Sequence, residues 1–156
     1  MKEIRSYGLH HLGLLAGILV AFYTAGVHSD PIAEPLALHG IMEQMGERMQ
    51  AITDGISRQE WQQVEQSARE IAEHPQPPFG EKLRILSFAG SRVTDFKQYD
   101  GETRQVAKEL ALLAGEQNGS AVIIAFSTLQ TSCLVCHQKF RGDFQRHFYG
   151  QQSKRQ

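Results

Sequence analysis

Cys133 and Cys136 are the only two cysteines in the 156-residue chain, and His137 follows the second directly. Residues three apart on a helix project from one side. Two thiols so placed can add across the two vinyl groups of a haem, and the adjacent imidazole then meets the iron. Cys133-Leu134-Val135-Cys136-His137 therefore has the form of a c-type haem attachment site, C-x-x-C-H. Three other chemistries compete for these residues. A dithiol oxidoreductase also uses C-x-x-C, but starts a helix with it after a strand. A structural zinc site needs about four ligands, and no second Cys/His cluster is near in sequence. Plain core cysteines would leave His137 on an apolar stripe unexplained. The attachment reading is preferred, with one covalent haem c as the cofactor.

The chain offers little for other functions. A formal charge of −1 and a pI near 6.6 leave no electrostatic footprint for nucleic acid. No GxGxxG, Walker-type loop or HExxH helix is present. Residues 1–29 read as a secretory signal: Lys2 and Arg5 precede an apolar stretch from Leu12 to Val27, and the small residues Gly26 and Ser29 offer cleavage sites. The alternative is an uncleaved anchor, the only route to a membrane that the sequence suggests. Export places the protein in an oxidising compartment, yet two cysteines three apart make no disulfide framework. Stability must then come from a packed core or a cofactor.

The elements that would hold the motif are helical, because apolar residues recur at three and four. A first helix is expected from about Asp30, with Leu38, Ile41, Met42, Met45, Met49, Ile52 and Ile56 as its stripe and a break at Asp54-Gly55. Ser57 and Glu60 form the pattern of a capping box for a second helix striped by Trp61, Val64, Ala68 and Ile71, ending at His74-Pro75. Residues 75–80 are expected as a loop, and 81–90 as no more than a short helical turn. A third helix carries Phe96, Tyr99, Val106, Leu110 and Leu113 to about Glu116, across Gly101. Asn118-Gly119 is a turn, Ser120 a cap, and the fourth helix bears Val122, Phe126, Leu129, Cys133, Cys136 and Phe140 before a stop at Gly142. His74 and His147 are expected in loop or tail, and residues 151–156 as a polar tail. Four helices with short connections predict an all-α, antiparallel up-down-up-down four-helix bundle over 30–150.

The run Cys133-Leu134-Val135-Cys136-His137-Gln138-Lys139-Phe140-Arg141 resembles the C-terminal CxxCHxxFR of the class II cytochromes c, the cytochrome c′ family, over roughly residues 31–145. The resemblance implies a left-handed four-helix bundle with haem between helices, in a bacterial periplasm, and non-catalytic electron transfer with periplasmic redox proteins as partners. His137 is then the proximal iron ligand. Arg141, one turn on, is a candidate for the haem edge or a propionate, against the alternative of a solvated cation at a helix end.

The sixth coordination position decides between functions. With His137 five to eight residues from the end of its helix, an antiparallel first helix would bring residues of its first turns opposite, and His39 and Met42 lie there. The segment Ile41 to Met49 resembles the first helix of low-spin members, which implies Met42 as the ligand. Three readings stand: Met42 ligates, His39 ligates, or no side chain does and a five-coordinate iron binds NO or CO. His/Met ligation leaves no open site and suits a single-electron carrier. Monomer and homodimer both remain compatible with the sequence, and its small acidic excess is compatible with a basic redox partner but too small to predict one.

Overall fold

The computed structural model describes residues 35–150; the expected signal segment, Pro31 and the polar tail lie outside them. The described residues are all-α. They form α1 (Ala37–Arg58), α2 (Trp61–Ala72), α3 (Phe79–Ala89), a 3-10 turn (Gly90–Arg92), α4 (Val93–Gly115) and α5 (Gly119–Tyr149), with no strand among them.

α1 starts at Ala37, where Pro35 precedes an extended Leu36 (φ −63°, ψ 149°); the expected start near Asp30 lies outside the described residues. A helix start leaves amides without partners, and here a carboxylate from another helix takes two of them. Glu81 Oε2 accepts from Ala37 N at 2.7 Å, and Oε1 accepts from Leu38 N at 2.8 Å. Asp54-Gly55 does not break the helix. Gly55 is buried where α1 meets α2, and a Cβ there would stand 2.9 Å from Val64 Cγ2 and 3.3 Å from the Glu60 carbonyl. The glycine serves close approach, and the chain turns at Gln59, whose φ of 60° lets Glu60 N reach Gly55 O at 2.8 Å.

The capping box does not form. Ser57 Oγ donates back to Thr53 O inside α1 at 2.9 Å, and the Glu60 carboxylate pairs with Arg58 at 3.0 Å. α3 is a full helix: Phe79 and Gly80 open it behind Pro78, and its buried Ile85 and Ala89 anchor it. α4 runs unbroken across Gly101 as its spacing predicts. Asn118, not Ser120, caps α5, its Oδ1 accepting from Ala121 N at 3.2 Å.

Gly142 does not stop α5. A mid-helix glycine costs about 1 kcal/mol against alanine, but Phe140, Phe144 and Phe148 step by four across it. Phe144 and Phe148 pack on Phe88 of α3 with ring centroids 5.5 and 5.6 Å away, and Phe140 meets Phe96 at 5.3 Å. These contacts carry the helix to Tyr149.

Ile52, Val64, Ile71, Leu110, Val122 and Leu129 are fully buried and draw α1, α2, α4 and α5 into one core. α4 packs along both α2 and α5, and α1 packs along α2, while α1 and α5 touch only sparsely.

Candidate functional site

Cys133 and Cys136 lie in the middle of α5, fourteen and seventeen residues past its first residue, and both are free thiols, half-buried. Cys133 packs against the common core, as do Phe126 of its own helix and Met45 and Met49 of α1. Leu134 and Val135 between them are exposed, at 55% and 38%, and so is His137. α5 is the one helix among the described residues long and apolar enough to cross a membrane by length and composition, yet only 17% of its most apolar stretch is buried. Much apolar surface around the motif thus lacks a protein partner within the described residues.

The flanks of the motif are pinned. Thr103 Oγ1 of α4 donates to Ser132 Oγ at 3.2 Å, and Ser132 Oγ donates to Leu129 O at 2.8 Å. Three residues after His137, Phe140 is buried between Phe96 and Tyr99, with the Arg92 guanidinium 5.1 Å from its ring centre.

Burial pushes the Cys136 thiol up to about 11, helped by Cys133 and by the Asp100 carboxylate. Burial also raises Cys133, partly offset by its hydrogen bond with Ser132. Both sulfurs are therefore neutral thiols near pH 7. His137 moves the other way: its side chain is exposed at one edge, but partial desolvation of the ring and the neighbouring Arg141 cation hold it below 6.5. Its imidazole keeps the lone pair that a metal needs. Arg141 itself is exposed, one turn beyond.

Of the two residues expected opposite His137, His39 lies by the far end of α5. His39 is exposed; its Nε2 lies 3.2 Å from Glu43 Oε1, and its ring stands edge-on to Tyr149 with centroids 6.4 Å apart. Tyr149 is twelve residues beyond His137, about 18 Å along the helix. Met42 is 37% exposed. The expectation that His137 sits five to eight residues from a helix end rested on a stop at Gly142, and α5 continues to Tyr149. The register therefore moves deeper into α1. At one end Tyr149 Oη accepts from Leu36 N at 3.2 Å. At the other, a Cβ on Gly119 would stand 3.0 Å from the Trp61 ring, beside the α1–α2 turn. Counting along the helices from these two ties brackets positions 41–48 of α1 opposite His137. Met42 and Met45 both fall inside, and Met45 is the one packed on the core.

Comparison with family models, with curated proteins and with solved structures gives no match. The chemistry of the site thus rests on its own residues. Among the described residues no three His, Cys, Asp or Glu side chains converge as a metal-binding group. Two thiols on one side of a helix, a neutral imidazole beside them and uncovered apolar surface nearby match what a covalent haem requires.

His74 lies in the loop after α2, as its sequence position predicts, and is buried there. His74 is 8% exposed and contacts Asp100 and Arg104 of α4, twenty-six and thirty residues away. His147 is not in a tail but on α5, its ring 5.2 Å from that of Phe88. No local pattern announces a triad assembled from such separations.

Proposed function

We propose that this chain is a mono-haem c-type cytochrome that carries single electrons in a bacterial periplasm after removal of residues 1–29. The observation that carries the reading is the pair of free, neutral thiols on one side of α5 followed by a neutral, exposed His137. Thioethers from Cys133 and Cys136 would hold the haem, and His137 would be the proximal ligand. The haem supplies the one-electron iron centre. The protein supplies a rigid mount, through Thr103–Ser132 before the motif and Phe140 after it.

The bond from Leu36, just before α1, to Tyr149 and the approach of Gly119 to Trp61, just after the α1–α2 turn, support an antiparallel four-helix bundle of α1, α2, α4 and α5, with the haem in the sparse α1–α5 seam. That cover would bury Leu134, Val135 and Met42, which are otherwise exposed. A sixth ligand would come from α1. Met45 is favoured over Met42 because it packs on the common core, against which Cys133 also packs, and over His39, which is engaged with Glu43 and Tyr149. Ligation by a thioether raises the reduction potential and fills the shell. The proposed partners are other periplasmic redox proteins, and Arg141 is placed to meet a propionate.

A dithiol oxidoreductase is disfavoured. Its attacking cysteine needs a lowered pKa, commonly from a helix N-terminus, whereas both thiols here are raised and lie far inside α5.

Optical spectra of the ferric and ferrous protein, with and without CO, test the ligation. A low-spin spectrum unchanged by CO is expected, and Met45→Ala should convert it to a high-spin form that binds CO. If Met42→Ala or His39→Ala does so instead, the ligand is that residue. Binding of CO by the unaltered protein would overturn the carrier reading in favour of a five-coordinate binder of NO or CO.

A further inference from the structure

We propose that α3 seats the protein on an anionic phospholipid bilayer. The helix is apolar on two opposite faces. Ile85 and Ala89 are buried against the rest of the protein, while Phe79 and Leu83, one turn apart, face outward. Phe79 is 76% exposed, more than any other large apolar side chain among the described residues, and Leu83 is 51% exposed. A single exposed apolar residue is ordinary. Here two adjacent ones form a ridge with cations on both sides.

At 3.6 residues per turn, Lys82 borders the ridge on one side and Arg84 on the other. Neither meets a carboxylate at ion-pair distance among the described residues. The one acid of the helix, Glu81, is engaged elsewhere, accepting from Ala37 N and Leu38 N. Each border opens on a cavity. Between α3 and α5 a cavity of about 480 Å³ is lined by Leu83, Phe88 and Phe148 together with Arg84, Ser87 and His147. The Arg84 guanidinium lies 5.5 Å from the Phe148 ring centre. On the other flank a cavity of about 200 Å³ brings Leu86 and Phe96 together with Lys82 and Lys97. Asp100 also reaches it, already bonded to His74 and Arg104.

Apolar side chains between cations match the order of acyl chains and phosphates at a bilayer surface. A stable protein partner would cover about 20–30 residues, far more than this short ridge offers. The path of the chain favours the same occupant. Glu81 holds the start of α1 against the first turn of α3, so residues 1–34 join the described domain beside the ridge. The apolar stretch Leu12–Val27 ends ten residues before Ala37, at most about 35 Å of extended chain. While that stretch engages the membrane during export, the ridge lies at the tethered end of the domain. After removal of residues 1–29, α3 would keep a reversible hold. The consequence for electron transfer rests on the function proposed above: a carrier held at the surface meets membrane redox proteins in two dimensions.

Co-sedimentation of the exported protein, its signal removed, with vesicles of equal parts phosphatidylglycerol and phosphatidylcholine tests the seat. Binding is expected, weakening at high salt and on phosphatidylcholine alone. Phe79→Ser with Leu83→Ser should lower the partition at least about tenfold. Lys82→Gln with Arg84→Gln should lower it about tenfold. Circular dichroism should show the helices intact in both. No binding by the unaltered protein, or undiminished binding by either variant, overturns the proposal. So does an unaltered protein that sediments without vesicles as a dimer and becomes a monomer with Phe79→Ser and Leu83→Ser, because the ridge then belongs to a second copy. None of these readouts uses the haem. A protein without covalent haem would sink the function proposed above and leave the vesicle test to decide this one.

Discussion

Where α2 meets α4, Ala68, Ala72, Ala107, Ala111 and Ala114 are almost completely buried and let the two helices approach closely. Where α1 meets α5, the helices touch sparsely, and Met42, Leu134 and Val135 stay exposed around two free thiols and an uncovered histidine. The first seam is closed by small side chains that fit only another helix. The second carries large apolar side chains, two thiols and a histidine, the surface that the proposed haem would cover. The same α5 takes part in both kinds of surface, since Val122 and Leu129 are buried in the core and Ile123, Ile124 and Leu134 are not.

Several changes break or sharpen that contrast. The largest effect is expected from Cys133→Ser with Cys136→Ser. Covalent haem should be lost entirely while circular dichroism still shows the helices, because the closed seam does not use the thiols. Collapse of helicity would mean that the two seams are not independent. Next, Leu110→Ala in the core should cost about 2–5 kcal/mol in urea unfolding. Leu134→Ala, compared in the haem-free protein, should stay within about 0.5 kcal/mol. Equal costs would erase the distinction between the sides.

Gly55→Ala tests the close approach of α1 and α2, where the new Cβ would meet Val64 Cγ2 at 2.9 Å. Overpacking of this kind costs about 1–3 kcal/mol, read as a lower denaturation midpoint. The smallest effect is expected for Asp100→Asn. Burial alone would raise the Asp100 carboxyl, but hydrogen bonds from His74 and Arg104 and their charges outweigh it and hold the group below 3.8. Its contribution is therefore complete above the unfolded value and is lost as pH falls through the folded one. Stability measured from neutral to acid pH should fall less steeply on the acid side in the variant.

The helical class was legible in the three-four spacing, and the stripes Val64–Ala68–Ile71 and Val122–Leu129 are buried as that spacing predicts. Ends were less legible, because tertiary contacts decided them. Glu81 caps α1 from α3, Val64 turns Gly55 from a breaker into a contact, and Phe144 and Phe148 carry α5 past Gly142. With α5 running to Tyr149, counting along the helices brackets positions 41–48 of α1 opposite His137, a range that keeps Met42 and adds Met45. Cys133, Cys136 and His137 were legible because their meaning lies in local spacing. His74, Asp100 and Arg104 were not, since nothing in the sequence joins a residue after one helix to two on another.

The central claim is that haem is bonded to Cys133 and Cys136, and denaturation of protein exported from a haem-attaching bacterium tests it most directly. In acid and organic solvent the colour should stay with the polypeptide, whose mass should exceed that of the chain by one haem. A colourless polypeptide of unaltered mass, with or without haem released into the solvent, would contradict the claim.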